Sequence, residues 1–87
     1  MVSKHYKWQL EWAVDLVADT ATHTSGLVVQ FKPADDAPGA HDGRAVNAEQ
    51  VAGDLLVKHG PHNVPQMLAR LMREAGEVYT EARRDRH

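Results

Sequence analysis

A long apolar stripe at helical spacing dominates the C-terminal part of this sequence. The stripe recurs every three or four residues, and its members are Val64, Leu68, Leu71, Ala75, Val78 and Ala82. Because residues three and four apart share one face of an α-helix, this spacing predicts an amphipathic helix over residues 64–84. Such a helix has to bury its apolar face against another layer of structure.

Capping signals predict a second, shorter helix before it, over residues 48–59. Asn47 is a favourable N-cap, and Gln50 stands three residues later, as in a capping box. A glycine–proline pair at 60–61 ends this helix, and Asn63 caps the long helix that follows. The sequence therefore predicts two helices joined by a short turn.

The N-terminal part alternates apolar and polar residues, which is the period of a strand. All seven even positions from 6 to 18 are apolar, namely Tyr6, Trp8, Leu10, Trp12, Val14, Leu16 and Ala18. Because strand side chains alternate between faces, this pattern predicts a strand over about 6–17. The segment is long for one strand, so we expect a bend near Ala13 or an end near Val17.

A second strand is predicted over about 26–32, where Leu27, Val29 and Phe31 share one face by their parity. The polar residues 20–26 are expected to connect the two strands as a hairpin.

These elements together predict an α+β fold in one small domain over residues 1–87. An N-terminal antiparallel β-hairpin is followed by two antiparallel helices packed on one sheet face, in the order ββαα. Residues 33–46 begin with a stretch rich in proline, glycine and aspartate, so they are expected to form an exposed loop. An alternative is a third strand hidden in the first part of that loop.

A homodimer follows from the same pattern as an expectation. Two strands leave two edges whose backbone donors and acceptors are unpaired, and a chain of 87 residues buries a small fraction of its surface. Two copies that pair strand to strand or helix to helix around a two-fold axis remove both difficulties. The alternative is a monomer with the extra strand.

Composition excludes several classes of function. The chain has no cysteine, so it has no disulfide or thiolate metal site, and its net charge of −2 gives no overall basic field for nucleic acid. No apolar run approaches the roughly 20 residues of a membrane span, and the first residues lack the apolar stretch typical of a secretory signal, so none is expected. We expect a cytoplasmic protein with no cofactor and no membrane association.

By elimination, the sequence favours a small interaction or regulatory module that acts through protein–protein contacts. The expected contact surface is a strand edge or one flank of the long helix, formed by Met67, Met72, Gly76 and Tyr79. Methionine and aromatic residues are enriched at interfaces. A glycine in mid-helix costs about 1 kcal/mol relative to alanine, and it permits another backbone to approach.

Nucleic-acid binding is the first alternative, because the last helix ends in a short basic tail of Arg83, Arg84 and Arg86. Arginine binds phosphate, and such binding is sensitive to salt. Acidic residues are interspersed along the same helix, which is also the pattern of an ordinary solvated helix face.

A metal or small-ligand site is the second alternative, formed by His41, His59 and His62. Three histidines suffice for a zinc ion if their ring nitrogens converge. An enzyme is the less favoured reading, since no nucleophile elbow, phosphate loop or dinucleotide fingerprint occurs. The run His23-Thr24-Ser25 is expected to be turn chemistry, because adjacent residues do not ordinarily face each other as a triad requires.

Overall fold

A computed structural model describes residues 7–37 and 39–85 of the chain. Within them, a short 3₁₀ helix precedes four strands and two α-helices. The elements are the 3₁₀ helix Trp8–Glu11, β1 Trp12–Asp15, β2 Thr20–His23, β3 Val28–Pro33, β4 His41–Ala45, α1 Ala48–His59 and α2 Val64–Arg84. The strands form one antiparallel sheet in the order β1-β2-β3-β4. The α+β class, with strands followed by two helices, is confirmed.

The expected long strand over 6–17 is wrong in its extent. Residue 6 lies outside the described residues, and only Trp12–Asp15 is a strand. The Asp15 carboxylate accepts hydrogen bonds from the backbone N–H of Val17 (2.9 Å) and of Ala18 (3.0 Å), which folds the chain into a turn. Local bonds of this kind compete with strand pairing. The alternating pattern thus continues past the point where the strand ends.

The prediction of a two-stranded hairpin also needs correction, because the sheet has four strands. The supposed connection 20–26 contains β2, which lies between β1 and β3, and the supposed loop 33–46 contains β4. Neither strand has an apolar pattern: in β2 the only buried residue is Ala21, and β4 reads HDGRA. Periodicity identifies strands that bury apolar side chains, so it misses these two.

Pro33 can end β3, although it has no backbone N–H to donate, because its nitrogen faces the β2 side of the strand. The Phe31 N–H donates to the Asp19 carbonyl at 2.8 Å, next to the start of β2 at Thr20. Backbone groups two residues apart face the same way, so the nitrogen of Pro33 points to the side where β2 has already ended. The missing N–H therefore removes no bond from the sheet.

The core lies between the sheet and α2. It consists of Trp12, Ala21, Leu27, Val29, Phe31, Val51, Leu55, Leu71, Ala75, Val78 and Tyr79. Helix α2 packs against β1, β2 and β4, whereas α1 packs mainly against α2 and contributes Val51 and Leu55. The Trp12 indole N–H donates to the Glu74 carboxylate at 3.1 Å, which fixes α2 to the first strand.

Asn47 stands before α1, as expected, but its side chain does not cap the helix. Its amide oxygen accepts from the Val28 N–H at 2.9 Å, and its amide nitrogen donates to the Gly26 carbonyl at 2.7 Å. The side chain therefore bridges the turn between β2 and β3. Asn63 likewise makes no capping bond from its side chain.

Asn47→Asp is expected to destabilise the fold by about 1 kcal/mol or more, because a carboxylate cannot donate to the Gly26 carbonyl. A true N-cap would tolerate this change, since aspartate caps as well as asparagine does. The measurement is the free energy of unfolding in urea, with Asn63→Asp as the matched control that is expected to change little. Equal stability of the two variants would contradict the bridging role.

Candidate functional site

Tyr79 of α2 joins the helix to the sheet. Its side chain is buried, with 1% of its surface exposed. The ring stacks on Phe31 with centroids 4.1 Å apart and planes 6° from parallel, and the ring of His41 meets it edge-on at 5.5 Å. The Tyr79 hydroxyl donates to the Asp19 carboxylate at 2.8 Å. Tyr79 is therefore a core residue, although the sequence suggests it for a contact surface.

The pKa of Tyr79 is raised from its ordinary value, first by burial and second by its hydrogen bond to Asp19. A group whose pKa is raised on folding contributes stability in full below the unfolded-state pKa, about 10 for tyrosine, and loses it as the pH rises through the folded-state value. We expect the free energy of unfolding to fall above about pH 10, and Tyr79→Phe to remove this part of the decline. The measurement is urea unfolding of the wild-type chain and of Tyr79→Phe at a series of alkaline pH values.

The other proposed contact residues do not form one surface with Tyr79. Met67 and Met72 are half-buried against the core, and they lie five positions apart on α2, so they point to different flanks of the helix. Gly76 lines a surface depression with Arg73, whereas Met67 lines another depression near the helix start. A Cβ atom at Gly76 would meet nothing within 4 Å, so no described backbone approaches it closely.

The basic residues are partly brought together. Arg83, Arg84 and His41 line a cleft of about 470 Å³ between the start of β4 and the end of α2, and Arg86 lies outside the described residues. One Arg83 nitrogen is 3.5 Å from the Tyr79 hydroxyl, and the guanidinium carbon lies 5.8 Å from the ring centroid. The cleft could receive an anion at its open side.

The three histidines of the metal hypothesis lie on different elements. His41 starts β4, His59 is the last residue of α1, and His62 lies in the turn between the helices. The described residues contain no group of three or more histidine, cysteine, aspartate or glutamate side chains positioned to hold one metal ion. The structure therefore does not bring these three rings together as one ligand set.

A contact that sequence reasoning missed joins His23, Ser25 and Glu11. The Nδ1 atom of His23 lies 2.9 Å from the Ser25 hydroxyl oxygen, and its Nε2 atom lies 3.3 Å from a Glu11 carboxylate oxygen. The Ser25 backbone N–H also donates to Nδ1, at 3.1 Å. This geometry makes Nδ1 an acceptor and assigns the ring proton to Nε2. No sequence signal links Glu11 to a histidine twelve positions later.

The arrangement resembles a serine–histidine–carboxylate triad in composition but not in its surroundings. An acyl-transfer site needs backbone N–H groups free to bind the oxyanion. Here the Gly26 N–H donates to the His23 carbonyl at 2.9 Å, and the Thr24 N–H donates to the Glu11 carbonyl at 3.0 Å. The bonds of His23 and Ser25 thus hold the turn after β2 and tie it to the 3₁₀ helix.

The outer side of β4 is an edge of the sheet, and its geometry follows from the bonds to β3. The Val46 N–H donates to the Val28 carbonyl at 2.9 Å, and the Ala34 N–H donates to the Ala40 carbonyl at 3.0 Å. Both bonds join even-numbered residues across β3 and β4. Because backbone groups of successive strand residues point to opposite sides, the even-numbered residues of β4 bond to β3.

The odd-numbered residues of β4 therefore face away from the sheet. His41, Gly43 and Ala45 direct their backbone N–H and C=O groups outward, and β4 is the last strand in the sheet order. Asp42 and Arg44 extend from the sheet face opposite α2, and both are exposed. Among the described elements, β3 and α2 are the main neighbours of β4, and no described strand pairs with its outward-facing groups.

Comparison with known proteins gives no match to a family model, to a curated protein or to a solved structure. Neither helix within residues 7–37 and 39–85 has the length and apolar character needed to cross a membrane.

Proposed function

We propose that the protein is a small interaction module that acts through protein–protein contacts in the cytoplasm and assembles as a homodimer. The observation that supports this most strongly is the open edge of β4. Three outward-facing residues offer a row of backbone donors and acceptors, which is the template that an added strand requires. A chain without cysteine is also compatible with a reducing compartment.

Exposed apolar side chains give the proposal further support. Leu10 and Val17 flank the first strand, and Leu56 and Val57 lie on α1, with 81%, 91%, 47% and 86% of their surfaces exposed. Such side chains are scattered and do not define a patch by themselves. Val46, the residue directly after β4, is 59% exposed and adds apolar area at the end of the open edge.

The experiment uses the full chain as bait in a lysate treated with nuclease, alongside Ala45→Pro. Proline removes the outward N–H of Ala45, which no strand among residues 7–37 and 39–85 uses, so the edge is blocked with little cost to the sheet. We expect the wild-type chain to retain a protein, or a second copy of itself, in stoichiometric amount, and the variant to release it. Equal retention by both chains, or none by either, would contradict the proposal, provided that circular dichroism finds the variant folded.

Nucleic-acid binding stays as the second candidate because the cleft brings Arg83, Arg84 and His41 together. This candidate predicts that a labelled oligonucleotide binds with an affinity that falls steeply with salt. Replacing Arg83, Arg84 and Arg86 with alanine should then abolish binding, and Arg70→Ala is a control on the same helix. Nuclease-sensitive capture in the lysate experiment would favour this candidate over the protein-contact module.

A further inference from the structure

The two edges of the sheet differ in how accessible they are. At β1 the Trp12 N–H is already bonded to the carbonyl of Gln9, because the 3₁₀ helix folds directly against the start of the strand. At β4 the outward groups of His41, Gly43 and Ala45 have no neighbouring strand among the described residues. Proteins commonly protect one edge by such local structure. An added strand is therefore received more readily at β4, where three residues face outward, than at β1, where two do and the N–H of one is already bonded.

The charged side chains of β4 favour one particular strand as the added strand. Asp42 and Arg44 are two positions apart on the same face, with Gly43 between them. If a second β4 pairs antiparallel around a two-fold axis at Gly43, Asp42 lies opposite Arg44 of the partner subunit and Arg44 lies opposite Asp42 of the partner subunit. Opposite charges at facing positions stabilise a strand pair.

Other registers of the same pairing are unfavourable. Only the odd-numbered residues face outward, so registers differ in steps of two positions. An axis at residue 42 would bring Asp42 opposite Asp42 of the partner subunit, and an axis at residue 44 would bring Arg44 opposite Arg44 of the partner subunit. Like charges directly opposite are destabilising. The axis at Gly43 also gives the longest overlap of the two five-residue strands.

We propose that the partner of the β4 edge is the β4 strand of a second copy of this chain, paired antiparallel about Gly43. His41 then pairs with Ala45 of the partner subunit, and the two sheets become one sheet of eight strands, which is within the ordinary size range. The self-complementary patch is what a two-fold interface requires. This inference rests on the proposed interaction function and names the partner.

The test is the molar mass of the full chain by sedimentation velocity over a series of concentrations. We expect the wild-type chain to reach twice its 9.7 kDa mass. Asp42→Arg and Arg44→Asp should each weaken the dimer by about tenfold or more, since each replaces two opposite-charge pairs with like-charge pairs. The double variant Asp42→Arg/Arg44→Asp restores both pairs and should regain the wild-type mass.

Mixing the two single variants tests directly whether charges pair across the interface, while the single and double variants identify the register. The Asp42→Arg chain carries two positive charges on β4 and the Arg44→Asp chain carries two negative charges, so together they should form a heterodimer more tightly than either forms a homodimer alone. Asp54→Arg on α1 and Arg73→Asp on α2 are controls that change the net charge equally and should keep the dimer.

Each possible result has a defined meaning. A wild-type chain that stays monomeric at every concentration overturns the self-pairing and the homodimer, while lysate capture of a different protein through the β4 edge would leave the protein-contact function standing. A dimer that neither charge reversal weakens overturns the register. A dimer that is weakened by the single variants, restored by the double variant and restored by mixing supports the proposal.

Discussion

Tyr79→Ala is expected to lower the free energy of unfolding by about 3–5 kcal/mol, the usual cost of removing a buried aromatic side chain. The ring is 1% exposed and stacks on Phe31 at 4.1 Å, so alanine leaves a cavity beneath α2. A small domain has only about 5–15 kcal/mol of total stability. The variant should therefore be largely unfolded at moderate urea concentrations, as measured by tryptophan fluorescence and far-ultraviolet circular dichroism.

A smaller substitution at the same position tests the contribution of the hydroxyl apart from that of the ring. Tyr79→Phe keeps the stacking and removes the hydrogen bond to Asp19, so we expect a loss of about 1.5–3 kcal/mol, the range for a bond to a charged group. Glycine is the suitable replacement for Asp19, because the backbone φ of Asp19 is 57° and glycine adopts this conformation without strain. A double-mutant cycle of Tyr79→Phe with Asp19→Gly isolates the bond. Additive effects of the two changes would mean that the bond contributes nothing.

Gly43→Ala is expected to destabilise the sheet by about 1–3 kcal/mol through overpacking. A Cβ atom at this position would lie 2.7 Å from Cε1 of Phe31 and 3.1 Å from Cγ1 of Val29. Phe31 cannot move aside freely, because its ring is buried and stacked on Tyr79. The measurement is urea unfolding of the wild-type chain and of Gly43→Ala at the same protein concentration.

Gly53→Ala is the matched control for this prediction. Gly53 lies in α1, and a Cβ atom there would meet nothing within 4 Å. Alanine is a better helix former, so this change should stabilise the protein by about 0.5–1 kcal/mol. Opposite signs at the two glycines would establish that the space beside Phe31, and not chain flexibility, requires glycine at 43. A stabilising effect of Gly43→Ala would contradict the packing argument.

The helices could be predicted from sequence because their signals are local. The apolar stripe of α2 repeats every three to four residues, and the asparagines before both helices stand where the helices begin. These signals depend on neighbours within one or two turns. The role of Asn47 could not be predicted in the same way, because its side chain bonds to Gly26 and Val28, about twenty residues away along the chain.

The surroundings of the candidate residues were harder to predict than the helices. The sequence assigns Tyr79 and Met67 to one flank of α2, but Tyr79 is buried against Phe31 and Met67, twelve positions earlier on the helix, is half-buried against the core. The pairing of His23 with Glu11 depends on the register of β2 beside β1. A contact of this kind has no periodic signature, since neither residue is part of an apolar pattern.

The sequence by itself determined the class of the fold, the two helices and the apolar face of α2, because helix formation is encoded in the spacing and caps of adjacent residues. Only the tertiary structure decided that β2 and β4 exist, that Gly43 must be small and that no other described strand pairs with the outer edge of β4. Strand pairing joins residues distant in the chain. A polar segment such as HDGRA becomes a strand only because β3 is beside it.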